Sequence, residues 1–462
     1  MDSYCPVTNG CVYRNYSATL NQVNIVNNNN KFYIVQVIQE SPTRYHVFTR
    51  YGRVGDKGVT GLKSFSNVTT AIQAFCTCYK SKTGNIWGDN GPVLPFVKKS
   101  NKYTLLQMDT VIEKVTEPSK DEISTLDLDS RISKIMRMIG NNQMFQQTMM
   151  NLDIDTQRLP LGKISKKQIH EANEILSKIS SNLSQMTAKE SELYSSEFWT
   201  LIPYSCGRNR PPIINNVEQI RTCSTLLETI ENIEIAGCIL RNNSTEYDIY
   251  RSLGLTLIPV ENDSNDMKLL KTYVDKTHAQ THKYRLELVS ALKIEDSSSS
   301  SSTKFDIENH RLLFHGSRMA NFMGIMKEGL RLPQVYQIAN GSTLGAGIYF
   351  ADSVTKSFNY TFSTETADTG FIVVCEVALG SSQYVTKCTP EPLPDTFESR
   401  IAHGRSHPDL KEFEMYNGNV IVPCGRLIDN PDGLDSTFLY NEYVIYDKSQ
   451  YKFKYLLELK KV

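Results

Sequence analysis

Leu312-Leu-Phe-His315-Gly-Ser-Arg318 is an apolar run that ends abruptly in a histidine, a glycine and a serine. A strand of this kind carries its last polar residue out of a core and into a turn. Two later stretches are built alike. Gly345-Ala-Gly-Ile-Tyr349-Phe-Ala-Asp352, followed by Lys356, Ser357 and Tyr360, sets aromatic and charged residues beside glycines. Tyr440-Asn-Glu442-Tyr-Val-Ile-Tyr446 places a glutamate at the head of a strand. Each is weak alone, since a histidine at a strand end is more often a hydrogen-bonded structural residue than a ligand. The glycines at Gly341, Gly345 and Gly347 do not spell G-x-G-x-x-G, and no strand–helix–strand pattern surrounds them, so a dinucleotide-binding fold is excluded.

Around these stretches the chain reads mostly as strands from about Leu255 onward. Phe371-Ile-Val-Val-Cys-Glu-Val-Ala-Leu379 is a buried strand by its continuous apolar character. Asn419-Val-Ile-Val422, Tyr443-Val-Ile-Tyr446 and Tyr455-Leu-Leu-Glu-Leu459 follow, the last as a closing strand. The six serines from Ser297 to Ser302 read as a loop.

Upstream, from about Glu117 to Leu240, the period changes to that of helices. Ile132, Ile135, Met136 and Ile139 share one face; Ile169, Ala172, Ile175, Leu176 and Ile179 share another; Leu226, Leu227, Ile230, Ile233 and Ala236 continue the pattern. Prolines at Leu159-Pro-Leu-Gly162 and between Ile202 and Pro212 separate the helices. Earlier still, Lys31–Ile38 and Arg44–Tyr51 read as two strands joined by a turn at Glu40-Ser-Pro-Thr43. Gly52 to Gly61 reads as a turn-rich break, and Val68 to Lys80 as a helix stopped at Gly84. The asparagines Asn27 to Asn30 read as a loop.

The length of 462 residues predicts about three domains at roughly 150 residues each. With 40% hydrophobic, 10% aromatic and 22% charged residues, the composition excludes a disordered chain. No stretch approaches the ~18 to 20 apolar residues of a membrane helix. The start, Met1-Asp-Ser-Tyr-Cys-Pro6, lacks the pattern of a secretion signal, so a soluble intracellular protein is expected. Lys plus Arg and Asp plus Glu number 50 each. That balance is segregated: residues 1–108 hold 12 basic against 4 acidic residues, leaving 38 against 46 for the rest. A basic module of charge +8 therefore precedes an acidic body of −8, and only the first suits a polyanion. The 10 cysteines include no C-x-x-C pair, and His278 and His282 lack a third ligand, so no metal site is expected.

In their order and approximate spacing, the three glycine-flanked stretches resemble the His-Tyr-Glu signature of the poly(ADP-ribose) polymerases, with His315, Tyr349 and Glu442 in its places. Leu159-Pro-Leu-Gly-Lys-Ile-Ser-Lys166 and Leu201-Ile-Pro203 with Gly207 resemble that family's regulatory helical domain. Tyr51-Gly-Arg53-Val-Gly55 and Thr83-Gly-Asn-Ile-Trp87 resemble its WGR domain. The resemblance covers roughly residues 15–462 and implies a multidomain α+β chain. Its parts are a β-rich WGR-like domain with one helix in residues 1–108, an all-α regulatory bundle in 109–245, and a mainly β ADP-ribosyltransferase domain in 246–462. The family's zinc fingers are absent, as the missing C-x-x-C pairs agree, which implies a short DNA-dependent member.

The resemblance also implies chemistry. NAD+ is consumed as a substrate, with no cofactor and no metal, and its nicotinamide–ribose bond is broken through an oxocarbenium-like state that a carboxylate stabilises. Glu442 takes that role. Gly316 and Ser357 grip the carboxamide, Tyr360 stacks on the nicotinamide, Tyr349 walls the site, and His315 holds the adenosine ribose with Ser317 and Arg331. Lys356 steers the acceptor side. In the first domain Tyr51 stands where the family has Trp and stacks at a DNA end, Arg53 links the DNA-bound module to the helices, and Trp87 is counted with them among the DNA-binding or interdomain residues. Expected partners are DNA strand breaks and acceptor proteins, the chain itself among them, for a monomeric, nuclear enzyme of the DNA damage response. Two alternatives stay open. Ser342-Thr343 replaces the Tyr-Met pair of polymerising members, and Phe397-Glu-Ser-Arg-Ile-Ala-His-Gly404 resembles a member that transfers mainly one unit. A catalytically silent DNA-break scaffold is the other.

Overall fold

The computed structural model describes residues 1–107, 128–155, 165–243, 245–296, 305–333, 343–363 and 368–462. The serine run, the Leu159–Gly162 connector, Gly341 and Ser342 lie outside the described residues. The chain divides into two compact units, one of residues 1–112 and 146–220, the other of 113–145 and 221–462.

The first unit is built on a five-stranded sheet. Its order is Val59–Phe65, Arg44–Arg53, Asn29–Ser41, Cys11–Asn24 and Thr104–Leu105. Asn29–Ser41 runs through the middle, with Phe32 through Ile38 nearly all buried, because both of its faces are covered. Helix α1 (Val68–Thr83) packs Ala71, Phe75 and Tyr79 onto Val35, Val37 and Val47. The Asn67 side chain caps its first turn, and Gly84 ends it in the left-handed conformation at the stop the sequence predicts. Three differences have local causes. Val59–Phe65 forms an edge strand where a turn-rich stretch was expected; its residues are exposed or half-buried, so no apolar alternation marks it. Cys11–Asn24 pairs antiparallel with Asn29–Ser41 and is equally unannounced. The asparagine run is only partly a loop: Asn29 and Asn30 already pair in the sheet, and Asn30 is buried with its amide on the Tyr204 carbonyl (2.8 Å).

The helical segment contributes α2 (Ser130–Ile139), α3 (Asn142–Asn151), α4 (Lys166–Asn182), α5 (Ala188–Leu201), α6 (Val217–Asn242) and α7 (Glu246–Leu253). The three apolar faces named from the sequence are buried as expected. Helices α4 and α5 belong to the first unit, where α5 borders the strand Cys11–Asn24. There the Val23 and Ile25 amides donate to the Thr200 and Ser196 hydroxyls, each at 3.1 Å. Those hydroxyls satisfy backbone donors that a strand edge would otherwise leave unpaired.

Among the described residues the second unit holds α2, α7, α6 from Arg221 onward, and three sheets, one of them only the pair Ser406–Pro408 and Leu427–Asp429. The larger of the other two has seven strands in the order Glu414–Tyr416, Val420–Val422, His310–Gly316, Thr369–Ala378, Tyr451–Lys461, Leu286–Asp296 and Leu255–Pro259. The smaller runs Ile348–Phe350, Glu442–Ile445, Ser399–Ala402, Ser382–Val385. The strand expected to close the domain is interior, with Thr369–Ala378 on one side and Leu286–Asp296 on the other. Helix α8 (Asn265–Lys276) was not foreseen. It starts at a Ser264 cap and buries Met267, Leu270, Tyr273 and Val274. Tyr273 stacks on Phe314 at 4.1 Å and donates to the Leu312 carbonyl, which fixes the strand leading to His315. Short helices α9 (Phe322–Glu328) and α10 (Val354–Phe358) complete the unit, which is of mixed α+β class with the first.

Candidate active site

The apolar residues Leu312, Leu313 and Phe314 are fully buried and hold the His310–Gly316 strand in the larger sheet. Reciprocal backbone bonds between Phe314 and Ala351 (2.8 and 2.9 Å) tie it to the segment that follows Tyr349. Ile348–Phe350 in turn pairs antiparallel with Glu442–Ile445, Tyr349 lying opposite Val444. Strand pleating puts Val444 and Glu442 on one face, so Tyr349 and Glu442 share it. Three segments distant in sequence therefore bring His315, Tyr349 and Glu442 onto neighbouring strands.

The Glu442 carboxylate is held at both oxygens. Lys356 Nζ lies 2.8 Å from Oε1 and also donates to the Asn441 carbonyl at 3.0 Å. The Thr343 hydroxyl donates to Oε2 at 3.1 Å. The lysine and glutamate side chains are only 17% and 16% exposed, so the pair is sheltered from solvent screening. The His315 ring accepts a different constraint. Its Nδ1 is 2.9 Å from the Tyr349 carbonyl oxygen. A carbonyl only accepts, so Nδ1 carries the proton and Nε2 is the acceptor nitrogen. Burial pushes the imidazole below its ordinary range, which keeps it neutral. A neutral, oriented imidazole suits a ligand hydroxyl better than a phosphate.

Gly316 is required by close approach. A β-carbon there would stand 1.8 Å from the Ser357 carbonyl oxygen of α10. Ser357 is buried, its hydroxyl donating to the Phe314 carbonyl at 3.2 Å. Tyr360 lies on the turn after α10 and is 56% exposed. The Tyr349 hydroxyl donates to the Gly345 carbonyl (2.7 Å) and accepts from the Leu344 amide (3.1 Å), so it braces a turn as well as presenting a ring. Ser317 is buried and its hydroxyl accepts from the Asn321 amide at 2.9 Å. Arg331 stands apart from this group: it pairs with Glu231 of α6 (3.2 Å) and Glu328 (3.4 Å), and donates to the Asn232 side-chain oxygen.

Sequence reading missed three supporting residues. Asp352 is fully buried and accepts from the Asn441 amide (2.7 Å) and the Tyr443 hydroxyl (2.9 Å), the two residues flanking Glu442. Burial pushes its carboxyl up. The Asn441 side-chain oxygen accepts from the Gly404 amide, and Thr343 reaches Glu442 from its own turn. A buried aspartate two residues after a strand was the available signal. Among the described residues no group of three or more His, Cys, Asp or Glu side chains could hold a metal ion.

Residues 264–461 match the family model of the poly(ADP-ribose) polymerase catalytic domain, 126–251 that of the same family's regulatory domain, and 16–93 the WGR domain. The chain belongs to the poly(ADP-ribose) polymerase family. It is 33% identical to poly [ADP-ribose] polymerase 2-A of Oryza sativa subsp. japonica over 463 residues, covering 96% of this chain and 70% of that protein. It is 33% identical to poly [ADP-ribose] polymerase 2 of Homo sapiens, across 96% of this chain and 79% of the relative. Poly [ADP-ribose] polymerase 1 of Danio rerio is 34% identical, but the chain spans only 45% of its length. As a poly(ADP-ribose) polymerase family member the chain carries an NAD+ ADP-ribosyltransferase domain, and NAD+ is its substrate.

In the WGR-like part of this poly(ADP-ribose) polymerase family chain, the three residues assigned to DNA contact or linkage differ in placement. Tyr51 is 44% exposed and stacks on Tyr33 at 5.4 Å, while Lys82 lies over the other ring of that pair. Trp87 is buried between Phe75 and Tyr79, so its ring is core and presents no face to a nucleic acid. Arg53 donates to the Asn28 carbonyl (3.0 Å), the Asn209 carbonyl (2.5 Å) and the Gly207 carbonyl, spanning from the sheet to the connector after α5.

Proposed function

We propose that the chain is a DNA-break-dependent ADP-ribosyltransferase that cleaves NAD+ at Glu442, modifies proteins including itself, and releases nicotinamide. The observation that carries this reading is the Glu442 carboxylate, fixed at both oxygens on the strand paired with that of Tyr349, whose carbonyl orients the neutral His315. A carboxylate held in place beforehand meets developing positive charge on the ribose without reorganising, which is where such a group contributes most. His315 Nε2, Ser317 and Gly316 line the same strand end and would bind the adenosine ribose and the carboxamide, with Ser357, Tyr360 and Lys356 on α10 and its following turn. Arg331 would join the adenosine side after exchanging its partners on α6.

The DNA dependence rests on the +8 charge of residues 1–108, the exposed Tyr51 and the Arg53 bonds to the connector. A break bound at Tyr51 would act on the helices through Arg53, favouring states with a loosened helical segment. This reading places the chain in the nucleus, in DNA repair, as a monomer, and keeps the divisions at residues 108 and 245. The test is nicotinamide release from NAD+ with and without nicked or blunt duplex DNA. Stimulation by DNA is expected; DNA binding with no NAD+ consumption would leave only the scaffold reading.

A second reading, transfer of single units, is favoured by the Thr343 bond to Glu442 Oε2. Elongation needs that carboxylate to accept from a ribose hydroxyl of the acceptor, and Thr343 takes one of the two acceptor positions on Oε2, with which that hydroxyl would compete. On a denaturing gel of automodified protein, a tight band means single units and a smear means polymer.

A further inference from the structure

Arg400 is the largest charged side chain in the second unit that is almost wholly buried, at 1% exposure. It sits on the strand Ser399–Ala402, paired antiparallel to the Glu442 strand with Arg400 opposite Val444. Among the described residues every partner it has is neutral. Its Nη1 lies within hydrogen-bond distance of the carbonyls of Thr389 (2.7 Å), Leu344 (3.0 Å) and Glu391 (3.0 Å) and of the Tyr446 hydroxyl (3.2 Å). Its Nε donates to the Gln383 side-chain oxygen at 2.8 Å. Among the described residues no carboxylate pairs with it. A buried cation without a counter-charge is costly to desolvate, so stability alone is a poor account of its presence.

What those bonds hold is the turn beside Glu442. Leu344 is fully buried and its carbonyl receives both Arg400 and the Tyr446 hydroxyl. The Thr343 carbonyl accepts from the Thr389 amide at 2.7 Å, and Thr389 is itself an Arg400 partner. Gly345 has a φ of +89, and a β-carbon on it would meet the Pro390 carbonyl, the Tyr446 ring and Arg400 within 4 Å. The same turn presents the Thr343 hydroxyl to Glu442 Oε2 and receives the Tyr349 hydroxyl at Gly345.

We propose that Arg400 is a positioning residue for the transfer step: its guanidinium clamps the 343–346 turn, and through Thr343 that turn fixes the rotamer of Glu442. Arg400 touches no substrate. The inference rests on the reading of Glu442 as the group that stabilises the developing ribose cation.

The test is a double-mutant cycle on the full chain, following nicotinamide release against NAD+ concentration. Arg400→Met should lower kcat about tenfold with KM for NAD+ within about twofold, since a misaimed carboxylate costs transition-state stabilisation and not ground-state binding. Thr343→Val should lower kcat less, and should add nothing in the Arg400→Met background, because both act through one contact. Arg400→Lys, which keeps the charge but loses the fork, should fall between Met and wild type. Additive losses, a raised KM at unchanged kcat, or a folded Arg400→Met with the wild-type rate would each overturn the inference. If Arg400→Met does not fold, Tyr446→Phe, which removes only the hydroxyl shared with Leu344 and Arg400, enters the same cycle with the same criteria. Glu442→Gln separates the two levels: full activity in that variant defeats the reading of Glu442, whereas an inactive Glu442→Gln beside a fully active Arg400→Met defeats only the role of Arg400.

Discussion

Lys356 Nζ and Glu442 Oε1 stand 2.8 Å apart, with the lysine also bonded to the backbone on the N-terminal side of that glutamate. The cation therefore anchors both the carboxylate and the chain that carries it. Glu442→Gln should retain NAD+ binding while kcat falls by ~10²- to 10³-fold, the range for losing one preorganised electrostatic group. Lys356→Met should cost less, about tenfold in kcat, because Thr343 still holds Oε2. Initial rates of nicotinamide release, with NAD+ binding measured by calorimetry, check both. Equal rates for wild type and Glu442→Gln would remove the glutamate from the mechanism.

Gly316→Ala tests the close approach of α10. The added methyl meets a backbone carbonyl, which cannot swing aside, so the His315 strand and α10 must part. A destabilisation of about 1 to 3 kcal/mol is expected from such overpacking, together with a raised KM for NAD+, since Ser357 and Tyr360 move with the helix. Thermal melts and NAD+ titrations read the two effects. A variant with unchanged melting temperature and unchanged KM would contradict the contact.

The catalytic half was legible in the sequence because three stretches, each weak alone, stand in the order and approximate spacing of one family signature. His315, Tyr349 and Glu442 each follow or head an apolar run that has to be a buried strand, and each sits beside glycine or a short polar cluster. The helical faces were legible through their period, which matches the burial of Ile132, Ile169 and Leu226. Edge elements were not. Val59–Phe65 pairs on one side only and buries little, so its residues carry no alternating signal. Trp87 shows the limit of motif reading: its position is as expected, but burial between Phe75 and Tyr79 is a property of packing that spacing does not encode. Asp352 and Arg400 lie inside stretches quoted from the sequence, but neither received a role, because a charge next to a strand looks the same in sequence whether it faces solvent or a buried network.

Arg53→Ala tests whether the sheet and the connector act together. The bonds to Gly207 and Asn209 disappear, whereas Tyr51 and the surrounding lysines remain. DNA affinity should stay within about threefold, because the charge of the module changes by only one unit in many. Stimulation of NAD+ consumption by DNA should drop severalfold, with the basal rate unaltered. Fluorescence anisotropy on labelled duplex and rate measurements with and without DNA separate binding from coupling. Loss of binding equal to the loss of stimulation would make Arg53 a simple DNA contact.

Burial depresses four imidazoles in the second unit: His315, His278, His282 and His403. In the unfolded chain these rings titrate near 6.5. Between that value and their lower folded values the unfolded state binds protons that the folded state refuses, so stability falls as pH falls through this window. Above pH 7 the rings are neutral in both states and contribute no slope. The carboxyls held low by partners, Glu412 at about 2 and Asp129 below its usual range, lose their contribution only in stronger acid. A melting temperature that is flat from pH 8 to 7 and declines from about 6.5 to 5.5 is therefore expected. His282→Gln should make the decline shallower, since it removes one depressed ring whose partners are Asn359 and stacking against Tyr440. A melting temperature that rises on going from pH 7 to 5.5 would overturn this expectation, since proton uptake by the folded protein, for which the carboxyls of Asp352 and Glu228 are held high, would then outweigh the four imidazoles.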